Sequence, residues 1–327
     1  MKEREFREYL KGRKLSTEES EFAVSAVKEF EEYLEDKGTA FESAEMDRLK
    51  DYLSLLIDTE KNSMERLVAI ARYCSFARKN DYYVYFTSIL NARDVLPGVG
   101  ERLSSIAGEE VRRRVFDGFE LPPLGAPPDI YPKLTKRIVS RLKAELPAAT
   151  CREVLTFNYH GVPTEAFKEK KERFEKARSI DEYLKEEHKR FVDELTRFME
   201  DRRIWYEQEI TPEVVEFVKS NQEIQTGVRH EDKIYVTKIP YAPKQYFEEK
   251  NPTLKRYYAC HCPLARTAIR DGKPKVPPVF CYCSGGFEKL SFDVIFDQPV
   301  EIELLESVLK GDARCRFAIT IPRNKMK

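Results

Sequence analysis

The amino-acid sequence predicts an α+β protein, in which an N-terminal helical bundle precedes an α+β domain with a small antiparallel sheet. Residues 2–94 carry apolar side chains at a helical period. After Asn221 the apolar residues alternate instead, which is typical of strands. Because 327 residues is long for one hydrophobic core, we expect a helical bundle over 1–95, a linker with one helix over 96–132, and a cysteine-rich domain that binds a metal or ligand over 133–327.

Amphipathic segments predict the N-terminal bundle. Between Glu21 and Tyr33 the apolar positions follow a period close to that of a helix. Ser16 and Thr17 precede a run of glutamates, which predicts a capped helix start. Later segments repeat the amphipathic pattern: Ala44–Ile57, Ser63–Lys79 and Tyr83–Ala92.

The phrases EFREYL and AIARYCSFARKN, in this order of helices, resemble the helical core-binding (SAM-like) domain of phage-type tyrosine recombinases. This resemblance implies a DNA-associated regulator. However, residues 1–100 carry 16 Lys and Arg against 20 Asp and Glu. Since nucleic-acid affinity comes mainly from neutralised phosphates, the acidic surplus argues against a nucleic-acid partner. The alternative is a domain for packing or homodimerisation.

Two segments rich in Pro and Gly, Leu96–Gly100 and Leu121–Pro132, predict breaks with one helix between them. The segment QEIQTGVRHEDKIYVTKIPY alternates about a polar turn and predicts a β-hairpin, and a second hairpin closes the chain. Between the second break and the first hairpin we expect helices over Lys133–Leu146, Pro163–Lys176, Ile180–Glu200 and Pro212–Ser220.

With 41% hydrophobic and 35% charged residues and a formal net charge of zero, the composition is that of a charged globular protein. No apolar run approaches the length of a membrane span, and the N-terminal MKEREFREYL is charged, so neither membrane association nor Sec export is expected. An odd number of cysteines, most of them in one third of the chain, fits free thiols in a reducing cytoplasm.

Five of the seven cysteines lie between Arg256 and Pro322, in the pattern C-x-C, 18 residues, C-x-C and then GDxxC. On strands, the two cysteines of each C-x-C pair would share one face. The second pair also fits a helix from Phe280 to Phe296, with Gly285 and Gly286 allowing close approach. The helix start would then lower the pKa of the second pair. The five cysteines are Cys260, Cys262, Cys281, Cys283 and Cys315.

The last hairpin adds a carboxylate to this set. If Gly311–Asp312 forms a two-residue turn, Val308 pairs with Cys315 and Glu306 with Phe317. Glu306 then ends a row of apolar residues, diagonal to Cys315, where its carboxylate needs a cation or a strong donor. A frayed strand with Glu306 in solvent is the alternative.

Several thiolates with a carboxylate indicate a zinc ion, bound in a closed structural shell or with one open position. C-x-C is less diagnostic than the C-x-x-C of zinc knuckles, so one or two thiols of each pair are expected to bind one ion. The spacing signatures of iron–sulfur clusters are absent, which makes such a cluster the weaker expectation. A redox-active or nucleophilic cysteine and buried inert thiols are the alternatives. The predicted metal ligands are Cys260, Cys262, Cys281, Cys283, Cys315 and Glu306.

The phrase ESVLKGDARCRF resembles the end of the 4-vinyl reductase-type domain, a small-molecule-sensing α/β module. In that family a hairpin glutamate and cysteines, with an earlier cysteine, hold zinc beside a pocket for hydrophobic ligands. The matching positions here are Glu306 and Cys315. The family's middle cysteine falls at Leu309, so the missing ligand must come from the C-x-C pairs. This resemblance implies a cytoplasmic zinc-binding protein that binds a small molecule.

A longer stretch, WYEQEITPEVVEFV through TKIPY, CHCPLAR and CYCSGGF, resembles uncharacterised proteins grouped with the L-2-amino-thiazoline-4-carboxylic acid hydrolases. The second hypothesis is therefore a metal-dependent hydrolase of a small amide or cyclic C–N substrate. In it the ion activates water, Glu306 is ligand or base, and His261 or Arg266 positions an acidic substrate. Arg266 could equally hold a phosphate or make a surface ion pair.

Overall fold

The computed structural model describes residues 1–91 and 93–326. It confirms the α+β fold class, since helices dominate and antiparallel sheets lie in the C-terminal region. The chain divides into two compact units, each of which combines two segments. The segment predicted as a linker, 96–132, is divided between them. Unit 1 comprises Met1–Arg93 and Glu120–Ile130, and unit 2 comprises Asp94–Phe119 and Tyr131–Lys327.

Unit 1 is a helical bundle, as predicted. The second helix begins at a capping box: the Glu19 N–H donates to the Ser16 hydroxyl at 3.1 Å, and the Ser16 N–H donates to the Glu19 carboxylate at 2.7 Å. The predicted capped start is therefore confirmed. The helices are α1 Glu3–Gly12, α2 Thr17–Asp36, α3 Met46–Asp58, α4 Met64–Phe76 and α5 Asn80–Leu90.

Aromatic rings fill the centre of this bundle. Phe6 packs edge-on against Tyr73, with the ring centroids 5.0 Å apart, and Phe30 packs against Tyr52 at 4.7 Å. Cys74 is fully buried among them. This burial raises the pKa of Cys74, so its thiol stays protonated and unreactive.

Unit 2 contains the remaining helices. The break predicted at Leu96–Gly100 is wrong, because this segment lies inside α6. Pro97 falls in the first helical turn, where a missing N–H costs no hydrogen bond. Gly98 faces Tyr159, and a Cβ there would lie 2.9 Å from its Cδ1. The helices are α6 Val95–Ala107, α7 Glu109–Phe116, α8 Tyr131–Glu145, α9 Ala148–Leu155, α10 Lys168–Lys176, α11 Ile180–Glu200, α12 Pro212–Lys219, α13 Pro243–Glu248, α14 Pro252–Ala259, α15 Arg266–Asp271 and α16 Tyr282–Ile295.

Both predicted hairpins are present in unit 2. They join into one four-stranded antiparallel sheet with the order β3-β4-β6-β5, and β1 and β2 form a separate short ladder. The first hairpin is shorter than its alternating pattern, since its first strand begins only at Val228. The strands are β1 Ile204–Trp205, β2 Gln208–Glu209, β3 Val228–His230, β4 Lys233–Thr237, β5 Ile302–Glu306 and β6 Arg316–Thr320.

The predicted register of the last hairpin is wrong. Leu304 pairs with Phe317, and a bulge follows, so that Glu306 lies opposite Arg316 instead of Phe317. The connection is a long loop, 307–315, and not a two-residue turn. The Asp312 carboxylate accepts a hydrogen bond from the Ser307 N–H at 2.7 Å and closes this loop.

Helix α16 packs closely on both of its sides, as the two adjacent glycines predict. A Cβ at Gly285 would meet the Phe317 ring at 3.4 Å, so this side faces the sheet. A Cβ at Gly286 would lie 2.4 Å from the backbone N and O of Phe157. The absence of side chains at these two positions therefore fixes where the first turn of α16 lies, and with it Cys283 and the preceding Cys281.

Candidate functional site

Three segments of unit 2 bring the five cysteines into one neighbourhood. Cys260, Cys262 and Cys315 pack in one apolar cluster around Val308. Cys281 lies close enough to Cys260 and Cys315 for their charges to raise its pKa. Cys283 likewise lies close enough to Cys262 to raise the pKa of Cys262. All seven cysteines of the chain are free thiols.

The two C-x-C pairs have different local structures. Cys260 caps the end of α14, and Cys262 lies in the loop before α15. Cys281 ends a 3-10 turn, Pro278–Cys281, and Cys283 lies in the first turn of α16. The helical alternative is therefore right for the second pair, whereas the first pair lies in neither a strand nor a helix.

The loop that carries the first pair is held at two points. The buried Thr135 hydroxyl donates to the Leu264 carbonyl oxygen at 2.9 Å. The His261 Nε2 lies 2.6 Å from the Ile239 carbonyl oxygen, which can only accept, so Nε2 carries the proton. Burial and the nearby Lys238 lower the pKa of His261 well below its ordinary value, which keeps the imidazole neutral.

Cys281 and Cys315 lie close together and shift each other's ionisation. The Cys281 Sγ lies 3.0 Å from the Ser307 Oγ. The contact with Cys281 lowers the pKa of Cys315, assisted by the Val308 backbone and by Lys238 and opposed by burial and by Glu288, and the same contact raises the pKa of Cys281 well above its ordinary value. Cys315 is therefore the thiol of the pair that ionises more readily.

A buried ion pair lies beside Cys315. Lys238 is 7% exposed, and its Nζ lies 2.9 Å from Glu288 Oε1 and 2.9 Å from the Ser284 hydroxyl. Its backbone N–H donates to the Cys315 carbonyl oxygen at 2.9 Å. Burial lowers the pKa of Lys238, but Glu288, Cys315 and Cys260 raise it above its ordinary value. The ammonium therefore stays charged and favours the ionised form of Cys315.

The other three thiols of the cluster are protonated. Burial raises the pKa of Cys260 and of Cys283 to about 12. Burial together with the charges of Cys260 and Cys283 raises the pKa of Cys262 well above its ordinary value. Because the thiolate is the nucleophile and the metal ligand, these three groups stay inactive until a base or a cation removes their protons.

The remaining predicted site residues lie elsewhere around the cluster. Glu306 shares the face of the hairpin with Arg316, opposite the Phe317 face that packs on α16. Arg316 in turn binds Glu223 at 2.5 and 3.1 Å. Glu306 is close enough to raise the pKa of Arg316, after the larger effect of Glu223, and its carboxylate lies on the face away from α16. Arg266 is buried, so the surface ion pair proposed for it is wrong.

The five cysteines have the soft donor atoms that zinc prefers. Within residues 1–91 and 93–326, however, no group of three or more His, Cys, Asp or Glu side chains is arranged to hold a metal ion. Zinc binding by this set therefore stays a prediction.

Lys238, Glu288 and Ser307 were missed by reasoning from the sequence. A signal for Lys238 exists, because it follows Ile234 and Val236 at strand alternation and so falls on their buried face. A charged residue on an apolar face indicates a buried partner. No spacing in the sequence indicates that the partner is Glu288.

Residues 206–327 match the family model described as "Family of unknown function (DUF6144)", which covers the part of the chain with the cysteine cluster. No curated protein and no solved structure matches the chain. In the described ranges, no helix has the length and apolar character needed to cross a membrane.

Proposed function

We propose that unit 2 is a thiol-based module whose reactive centre is the Cys281–Cys315 pair, and that the pair cycles between dithiol and disulfide. The close approach of the two thiols, which lowers the pKa of Cys315 and raises that of Cys281, is the observation that carries the proposal. Both residues are partly exposed, as is Cys262, whereas Cys260 and Cys283 are buried. Among the three exposed thiols only Cys315 has a lowered pKa, so a small disulfide should react there first.

The exchange has two steps. The Cys315 thiolate attacks one sulfur of a disulfide R–S–S–R′, so that a Cys315–S–S–R bond forms and R′S⁻ leaves. Cys281 then loses its proton and attacks the Cys315 sulfur, which forms the Cys281–Cys315 disulfide and releases RS⁻. The pair is oxidised by two electrons and R–S–S–R′ is reduced to two thiols. One of their protons comes from Cys281 and the other from water.

Oxidised glutathione tests this proposal. We expect the full chain to lose two thiols and to yield a Cys281–Cys315 disulfide in peptide mapping. Cys281→Ser should stop at a glutathione adduct on Cys315, because the second attack is missing. Cys315→Ser should react much more slowly at either position. An adduct that forms mainly on Cys262, or a Cys281→Ser variant that takes up no glutathione, would contradict the proposal.

Zinc binding with small-molecule binding is the second candidate. It is favoured by the convergence of five thiols from three segments. It is also favoured by the charges of Cys260 and Cys283, which raise the pKa of Cys262, although burial raises that pKa more. A bound cation would relieve the repulsion among these charges. The test is elemental analysis of the purified protein and of the Cys262→Ala, Cys283→Ala and Cys315→Ala variants. Stoichiometric zinc that is lost in these variants would favour this candidate over the dithiol cycle.

A further inference from the structure

Arg266 is a buried cation enclosed by aromatic rings. It opens α15 and is 8% exposed. Its guanidinium carbon lies 3.9 Å from the centroid of the Tyr241 ring and 5.5 Å from that of the Tyr257 ring. Stacking of this kind favours a guanidinium over an ammonium, because its planar face is weakly hydrated.

No described carboxylate forms an ion pair with this cation. Two of the described Lys and Arg side chains are buried, Lys238 and Arg266. Lys238 lies 2.9 Å from Glu288, whereas the polar side chain that Arg266 meets is Tyr241, and each of the two shifts the pKa of the other. Glu207 is near enough to raise the pKa of Tyr241 as well. Apart from their mutual contact, the Arg266 Nε and the Tyr241 hydroxyl have no hydrogen-bond partner among the described groups. A buried cation without a carboxylate partner is costly unless a ligand supplies the anion.

Arg266 and Tyr241 lie next to the cysteine cluster. The Tyr241 ring lies 5.6 Å from the His261 ring, centroid to centroid. Arg266 is close enough to lower the pKa of Cys260 and of Cys262, in both cases against the larger effect of burial. Since His261 is neutral, it adds no charge to this region.

We propose that Arg266 and the Tyr241 hydroxyl bind the oxyanion of a ligand, and that this ligand is a small organic acid held by one carboxylate. One guanidinium with one neutral hydroxyl balances a single negative charge, as a carboxylate carries. A doubly charged phosphate would leave one charge uncompensated. Guanidinium groups bind carboxylates in a planar geometry that suits the exposed edge of a stacked ring. The site needs no ionised thiol, so it is independent of the dithiol cycle.

Acetate is the probe, with sodium chloride holding the ionic strength constant. Calorimetry and the shift in unfolding temperature should show saturable binding of acetate to the wild-type chain. Tyr241→Phe keeps the ring and removes only the hydroxyl, and should weaken acetate binding about tenfold. Arg266→Gln should weaken it at least about a hundredfold.

Two variants serve as matched controls. Tyr258→Phe removes a hydroxyl from the neighbouring α14, and Arg152→Gln removes an exposed charge from α9. Both should bind acetate within about twofold of the wild type. The proposal is overturned if the wild-type chain shows no saturable binding, if Tyr241→Phe binds as the wild type does, or if inorganic phosphate binds more tightly than acetate. Because Tyr241→Phe tests the site without removing the cation, unfolding of Arg266→Gln does not affect the outcome.

Discussion

Lys238→Met is expected to destabilise unit 2 by about 3–5 kcal/mol, because it leaves a buried carboxylate without its cation. The Glu288 side chain is 6% exposed and lies 2.9 Å from the lysine Nζ. Denaturant unfolding followed by the fluorescence of Trp205, the only tryptophan of the chain, measures the free energy of unfolding.

Two variants separate lost charge pairing from lost packing. Lys238→Met combined with Glu288→Leu removes both charges and should recover most of the lost stability. Lys244→Met breaks an exposed pair, since Lys244 lies 3.0 Å from Glu209 at the surface, and should cost less than about 1 kcal/mol. A double variant as unstable as Lys238→Met alone would show that the ion pair is not the cause. The double variant should also react more slowly at Cys315, because the ammonium beside the thiolate is gone.

Gly286→Ala should destabilise unit 2 by about 3 kcal/mol. The added methyl group would lie 2.4 Å from the N and O atoms of Phe157, which are backbone atoms and cannot rotate away. Helix α16 would have to shift, and Cys281 and Cys283 would move with it. Trp205 fluorescence again reports the unfolding of this unit, and the rate of disulfide formation by oxidised glutathione should fall as well.

Gly285→Ala is the matched control in the same helix. Its methyl group would meet the Phe317 ring at 3.4 Å, and this side chain can adjust. We expect a change in the free energy of unfolding of about 1 kcal/mol or less. Equal effects of the two substitutions would contradict the close backbone approach at Gly286.

Most of the fold could be predicted because the relevant information is local. Helix α11 follows its periodic segment, Ile180–Glu200, from end to end, and Ser16 caps α2 as its place before a run of glutamates indicates. The alternation and polar turn of the first hairpin predict β3 and β4. These features depend on residues within a few positions of each other, so sequence patterns capture them.

The last hairpin could not be predicted in detail because its register depends on non-local contacts. A bulge after Leu304 and a loop closed by Asp312 and Ser307 place Glu306 opposite Arg316. Gly311–Asp312 has the composition of a two-residue turn, yet the strands end before it. The Gly311 φ of 112° lies within the longer loop instead.

The sequence predicts which cysteines form the candidate site, but it does not predict which of them ionises most readily. Cys281 and Cys315 stand out by spacing, but nothing in the spacing indicates that the pKa of one is raised and that of the other lowered. The charge at Cys315 depends on Lys238, which lies 77 positions earlier in the sequence and is anchored by Glu288. Such a contact follows from packing β4 and β6 against α16, and a linear pattern does not contain it.

The rate of alkylation at each cysteine between pH 6 and pH 9 tests the central claim most directly. With iodoacetamide and peptide mapping, we expect Cys315 to react fastest of the five cysteines, because its pKa is lowered whereas those of the other four are raised. Its rate should fall as the pH drops through that lowered pKa. Cys262 is also partly exposed, but its raised pKa should keep it slow across this range. A Cys315 rate that is no faster than that of Cys262, or that follows pH as an ordinary thiol does, would contradict a lowered pKa at Cys315.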